Sequence, residues 1–269
     1  MREPAPAPSG KWADLRTRVL SAIVMVAVGA VEIWLGGLAF AVLVVVLTAV
    51  MIWELAGMTA PLDRRPALVI AGAAGVALVA ALVLKTGVAP LFLGLPALAL
   101  ILTPRRDRWL AGGYALAILI AGYGLVALRE AGGTAAILWL VAVVVASDVL
   151  GYFAGRMLGG PKFWPAVSPK KTWSGTVAGW IGAAFVGLVC VVWTGADWLL
   201  VPLSALVALA GQMGDILESW VKRRAGVKDA SSLIPGHGGV LDRFDALIGA
   251  VVMIMALGLV APVTGLFGG

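Results

Sequence analysis

Residues 219–245 read SWVKRRAGVKDASSLIPGHGGVLDRFD, a polar stretch lying between two strongly apolar segments. It holds Lys222, Arg223, Arg224, Lys228 and Arg243, the chain's single histidine (His237), the aspartates Asp229, Asp242 and Asp245, and a Pro-Gly-His-Gly-Gly turn at 235–239. Cationic side chains suit phosphates, carboxylates suit a hard divalent cation, and glycines let the backbone approach a ligand closely. The stretch stands out because its surroundings are so apolar. Of the 269 residues 61% are hydrophobic and 13% charged, against about 25% charged in soluble proteins. One soluble core of this size cannot hide that composition. The chain reads as an integral membrane protein with lipid as the solvent for most side chains, and the polar stretch as a phosphate-plus-metal site at a membrane surface.

Working outward, runs of about 20 apolar residues mark helices that cross the hydrocarbon. About nine such runs are present, at 18–35, 38–58, 66–84, 88–103, 109–128, 134–155, 176–195, 198–219 and 244–265. The fourth is short and interrupted by Pro90 and Pro96. The runs are continuous rather than alternating, and backbone groups must pair internally in lipid, so helices are expected and not a barrel. The expectation is an all-α fold with an N-terminal set of transmembrane helices over 15–130 and a C-terminal set over 131–269. Residues 1–14, rich in Pro and Ala, read as a disordered tail. Arg16 and Arg18 before an apolar run resemble a signal peptide. No clear Ala-x-Ala site follows, so an uncleaved first span is expected.

The cations support that layout. With the N-terminus in the cytoplasm and the spans alternating, every Lys and Arg except Lys85 and Arg129 falls in a cytoplasmic segment. This is the positive-inside pattern, and it puts the C-terminus outside. The net charge of +6 is then a signal of topology with some attraction to anionic lipid heads. It is not a nucleic-acid footprint, since no basic soluble domain exists to carry one. The single cysteine, Cys190, permits no intramolecular disulfide and reads as a small buried hydrophobe. The spacings Ala71-x-x-x-Gly75 and Gly175-x-x-x-Gly179 permit close helix packing. The eleven tryptophans read as interface anchors.

Ionisable groups at membrane depth are costly and are functional candidates. Glu32, Glu54, Asp148, Asp215 and Glu218 fall within or at the ends of spans. Asp215, Glu218, Ser219 and Lys222 follow i, i+3, i+4, i+7 and share one helix face. Asp242 and Asp245 share a face where the ninth span begins. Two helix ends thus present carboxylates beside a glycine-rich connection. Such a set suits Mg²⁺ with positions left for water and phosphate oxygens, or salt bridges to Lys222, Arg223 and Arg243. Upstream, Ser147-Asp148 ends an apolar run, and Ser168-Pro169-Lys170-Lys171-Thr172 precedes span seven. Two lysines beside hydroxyls at a helix start suit a polyphosphate, or serve topology alone. His237 sits in a tight turn as a general base, as a donor to phosphate or backbone, or as a structural residue. Glu32 and Glu54 serve packing or a pocket for the amphiphile.

In order, Ser219, Lys222-Arg223, Lys228-Asp229, Ser231, Ile234-Pro235, His237-Gly238-Gly239, Asp242-Arg243 and Asp245 resemble the signature of the phosphatidate cytidylyltransferases, the CDP-diacylglycerol synthases. The segment 168–172, Ser147-Asp148 and Leu15-Arg16-Thr17-Arg18 resemble further elements of that family. The resemblance implies transfer of CMP from CTP to phosphatidate with Mg²⁺ and release of pyrophosphate, in phospholipid biosynthesis at the cytoplasmic face of a bacterial inner membrane. It implies catalytic roles among Asp215, Lys222, Arg223, Lys228, Asp229, His237, Asp242, Arg243 and Asp245. Asp215, Asp242 and Asp245 would hold one or two cations. Asp148, Ser168, Lys170, Lys171, Thr172 and Ser219 would bind substrate. It also suggests a homodimer. Asp215→Asn or Asp242→Asn is then expected to remove activity with folding intact. A CTP-dependent transferase acting on another lipid phosphate or a polyprenol, an ion-coupled transporter, and a non-catalytic lipid-binding protein are the competing readings.

Overall fold

The computed structural model describes residues 11–60, 65–84, 87–260 and 265. Eight α-helices follow one another: α1 Lys11–Leu35, α2 Gly37–Thr59, α3 Arg65–Leu84, α4 Gly94–Leu102 after a 3-10 turn at Ala89–Leu93, α5 Arg108–Leu158, α6 Trp173–Thr194, α7 Leu200–Ala225 and α8 Leu241–Gly258. Between α5 and α6 a short antiparallel pair, β1 Lys162–Trp164 and β2 Ser168–Thr172, interrupts the helices. Six helices (α1, α2, α3, α5, α6 and α7) are long and apolar enough to cross a membrane, so the chain is a multi-pass membrane protein.

The helices follow the expected order, but six such helices stand against nine expected spans; α8 (Leu241–Gly258), at the ninth expected span of 244–265, is not among them, since its 18 residues include Asp242, Arg243 and Asp245. The fifth and sixth spans are joined in α5, whose 51 residues would extend about 76 Å if straight, more than twice a hydrocarbon core of ~30 Å. Gly133, at φ 65° and ψ −163°, breaks that run in two. Gly36 adopts nearly the same backbone, φ 60° and ψ −156°, between α1 and α2. Only a residue without a side chain enters this region readily. The fourth span is the 3-10 turn and nine-residue α4, together ~24 Å and short of the bilayer. The first helix starts at Lys11, inside the segment expected to be a tail, whose residues 1–10 lie outside the described residues. Arg2, Arg64 and Lys85 of the charge count also lie outside them.

The core forms where α5 packs against α2, α4, α6, α7 and α8. Ile52, Leu55, Leu78, Ile118, Leu119, Trp139 and Leu140 are fully buried there. Trp139, expected at an interface, instead donates Nε1–H to Ser204 Oγ at 2.8 Å in the interior. Small residues set the closest crossings. A Cβ on Gly175 would strike the Gly151 carbonyl, and one on Gly179 would meet Gln212 and Ser147. The Gly175-x-x-x-Gly179 spacing is therefore used inside the chain, where α6 crosses α5 and α7. At the α7–α8 crossing, Gly214 faces Gly249 and the carbonyl of Asp245. That contact draws Asp215 on α7 toward Asp245 on α8.

Candidate active site at one end of the bundle

Three pieces of chain meet at the end of the bundle where α7 stops and α8 starts. The first is the last turn of α7. Gly226, at φ 78°, ends it in a Schellman turn, with Gly226 N–H donating to Arg223 O and Val227 N–H to Lys222 O. Arg224 is fixed sideways by a two-point bond to Asp107, with Nε to Oδ2 at 2.9 Å and Nη2 to Oδ1 at 2.6 Å. Lys222 points inward, 2.6 Å from Glu218 Oε2 and 2.6 Å from Asp242 Oδ1. Glu218 is fully buried, and its Oε1 has no hydrogen-bond partner. An ammonium shared between two carboxylates limits the cost of burying that charge.

The second piece is the loop 226–240. Gly236 (φ 75°) and Gly238 (φ 84°) close a tight turn in which Ile234 N–H donates to Gly238 O and His237 N–H to Ile234 O. This is the turn expected around His237, whose Nδ1 is buried with no hydrogen-bond partner. Asp242 holds the loop from within. Its Oδ2 accepts from Ala230 N at 2.9 Å and Gly239 N at 2.7 Å. Burial alone would raise the Asp242 carboxyl. The Lys222 ammonium and the two backbone N–H groups outweigh it and hold the group below its ordinary value.

The third piece is the hairpin β1–β2, in the connection between the sixth and seventh expected spans. Thr172 caps α6, accepting from Gly175 N–H at 3.3 Å. Phe163 packs edge-on against Trp173 at 4.7 Å between ring centres. The hairpin aims Lys171 at α7, where its Nζ lies 2.6 Å from Asp215 Oδ2 and donates to Gln212 O at 3.2 Å. Lys170 on the same strand is exposed.

The sequence candidates thus divide. Asp215 contacts both Lys171 and Ser219, whose Oγ donates to Asp215 Oδ1 at 3.4 Å. Lys222 and Asp242 form a second contacting pair. Asp148, Asp215 and Asp245 lie near enough to act on one another electrostatically. Arg223, Lys228, Asp229 and Arg243 are exposed around this end. Ser168, at the start of β2, is half-buried. Gln212 was missed. Its Nε2 donates to Ser147 Oγ and Thr176 O, while its Oε1 accepts from Trp180 Nε1–H, so it ties α5, α6 and α7 together behind Lys171. A glutamine inside an apolar run was the available signal.

Among the described residues no three His, Cys, Asp or Glu side chains form a ready-made metal cage. Mg²⁺ does not need one, because it commonly takes one or two carboxylates and fills its remaining positions with water and substrate phosphates. The donors present fit that pattern. Asp215 and Asp242 each hold a lysine ammonium at 2.6 Å, a place where a cation satisfies the same oxygen. Asp242 has Oδ1 alone for this purpose, since Oδ2 serves the loop.

A model of the cytidylyltransferase family matches residues 16–261. The chain belongs to this family. A protein of Brucella abortus biovar 1 named phosphatidate cytidylyltransferase is 35% identical over 253 residues, covering 91% of this chain and 93% of that protein. Proteins of the same name from Staphylococcus saprophyticus and from Helicobacter pylori strain 26695 match shorter regions. The first is 38% identical over 154 residues, covering 55% of this chain and 59% of its own length; the second is 42% identical over 129, covering 46% and 47%. In this member of the cytidylyltransferase family, cationic side chains from the hairpin and from α7 converge on carboxylates of α7 and α8. Such an arrangement is fitted to gather phosphates and neutralise them.

Proposed function

We propose that this chain is a phosphatidate cytidylyltransferase, converting CTP and phosphatidate to CDP-diacylglycerol and pyrophosphate. The observation that carries the reading is the match to the named relatives over nearly the whole chain, joined to a site in which Lys171 and Lys222 converge with Asp215 and Asp242 at one end of the bundle. An oxygen of the phosphatidate phosphate attacks the α-phosphorus of CTP. A new P–O bond forms, the bond from the α-phosphorus to the bridging oxygen breaks, and pyrophosphate leaves with its electron pair. The nucleophile is already an anion, so no strong general base is required, and His237 is free to serve the turn. The difficulty lies in bringing anions together, which positioning and charge neutralisation relieve.

Lys170 and Lys171 receive the CTP triphosphate from the hairpin. Lys222, Arg223 and Lys228 shield the departing pyrophosphate, with Arg243 and Asp229 at the rim. Ser168, Thr172 and Ser219 supply hydroxyls, and Asp148 supports the nucleotide side. Asp215, Asp242 and Asp245 would hold Mg²⁺, and with it a second cation if two are used. The metal, when bound, supplies charge neutralisation and alignment of the phosphates. Phosphatidate keeps its acyl chains in the leaflet while its head meets CTP. The positive-inside pattern supports a cytoplasmic site in the inner membrane, and the family resemblance supports a homodimer.

Purified protein in detergent, given CTP and Mg²⁺ with phosphatidate, a polyprenol or a polyprenyl phosphate in parallel, is expected to form a CDP-lipid and pyrophosphate with phosphatidate alone. Product only with a polyprenyl acceptor would replace this reading. Within the site, Lys171→Ala is expected to raise the KM for CTP about tenfold through loss of a charge-assisted contact, with the KM for phosphatidate nearly unchanged. Initial rates with each substrate varied in turn check this. A change confined to the lipid dependence would mean that the two halves of the site are assigned the wrong way round.

A further inference from the structure

Glu54 stands on the last turns of α2, 2% exposed, and belongs to none of the groups assigned above. Its carboxylate accepts three hydrogen bonds from the polar stretch. Ser231 Oγ donates to Oε1 at 2.6 Å, Val240 N–H to Oε1 at 2.9 Å, and Leu241 N–H to Oε2 at 2.6 Å. Val240 and Leu241 open α8, whose own N-cap residue makes no side-chain cap. Their N–H groups are therefore satisfied by a carboxylate 186 and 187 residues away in sequence. A negative charge at this end also suits the helix dipole.

Asp242 grips the same loop from the other side. It takes the N–H of Ala230 and Gly239, the neighbours of the Ser231 and Val240 donors that Glu54 takes. The two carboxylates thus pin both ends of the loop, at 230–231 and at 239–241. Gly239 has no side chain, and a Cβ there would run into the Glu54 carboxylate, so the close approach depends on that glycine. A carboxylate buried for packing alone would be costly compared with an apolar side chain of similar size. Three donors from one functional loop give it a specific purpose.

We propose that Glu54 is a positioning residue for cytidylyl transfer, holding residues 230–241 so that Asp242 and its partner Lys222 face the reacting phosphates. The inference rests on the functional reading above and adds a residue from a distant helix that acts through the loop. Glu54→Gln keeps the shape but sets an amide NH₂ against backbone N–H donors. In that variant kcat is expected to fall about tenfold to a hundredfold, with the KM for CTP and for phosphatidate within about twofold. Hydrogen exchange is expected to accelerate at residues 230–241 and stay unchanged in the helices. Adding Ser231→Ala to Glu54→Gln is expected to cost less than Ser231→Ala alone, since the Ser231–Glu54 contact is already weakened and chiefly the Leu233 N–H bond to Ser231 Oγ remains to be lost.

A wild-type kcat in Glu54→Gln would overturn the proposal, as would exchange that rises equally throughout the bundle, the mark of a general structural role. If the wild-type chain itself makes no CDP-diacylglycerol, the functional reading has failed. Exchange at 230–241 then tests the positioning alone, and unchanged exchange there would overturn it.

Discussion

Asp215→Asn is expected to lower the rate of CDP-diacylglycerol formation ~10²–10³-fold or more while the protein melts at nearly the same temperature. The two effects separate because of where Asp215 stands. Its side chain is 35% exposed and pairs with Lys171 across the gap between the hairpin and α7. A partly exposed pair of this kind contributes ~1 kcal/mol or less to stability, so its loss leaves the bundle intact. The same carboxylate sits where Lys171, Ser219 and the neighbouring charges of Asp148 and Asp245 converge, and asparagine offers neither charge nor a second acceptor oxygen. Initial rates and a detergent melting curve on one preparation check both halves. Wild-type turnover would rule out the proposed role of Asp215 in holding a cation.

Asp242→Asn is expected to lose activity as severely and to destabilise the fold as well, by about 3 kcal/mol. The sequence reading put Asp215 and Asp242 in the same class, with folding intact in both variants. The geometry separates them. Asp242 has a side chain only 3% exposed, and it accepts from Lys222, Ala230 N–H and Gly239 N–H. Asparagine removes the charge opposite Lys222, and its NH₂ group meets a donor on whichever side it turns. Because the carboxyl is held below its ordinary value, its stabilising contribution is complete above the unfolded value. It is lost only as pH falls through the lowered one, so neutral buffers report the full difference. The check is a melting curve beside that of Asp215→Asn; equal melting temperatures would contradict the anchoring role.

Much of this was legible because lipid imposes simple patterns. The apolar runs marked α2, α3 and α6 to within a few residues, since a membrane helix is fixed by length and composition, whereas α1 starts seven residues before its run and α8 ends seven before the end of its own. The i, i+3, i+4, i+7 set at Asp215, Glu218, Ser219 and Lys222 does share a face, because helical periodicity is local. What lay hidden was long-range. Nothing in the spacing of α2 shows that Glu54 will cap α8, and nothing near Gln212 shows that it will join three helices. The strand pair at 162–172 was also missed: it is short, and its lysines read equally well as an open loop. Salt bridges and metal ligation were set against each other for the carboxylates. Both fit the same oxygens: Lys171 and Lys222 pair with the carboxylates of Asp215 and Asp242, which are the oxygens proposed to hold a metal. The Gly175 and Gly179 spacing promised a close crossing but could not name the partner, which is α5 and α7 of the same chain.

If a CMP unit passes to a lipid phosphate at this end of the bundle, the α- and γ-phosphorus atoms of CTP end in different phases. Purified protein is given Mg²⁺, phosphatidate and CTP labelled at either the α- or the γ-phosphorus, and the lipid phase is then extracted. Cytidylyl transfer puts the α label into the lipid as CDP-diacylglycerol and leaves the γ label in the water phase as pyrophosphate. A γ label in the lipid, with the α label left in soluble CDP, would mean phosphoryl transfer and would contradict it.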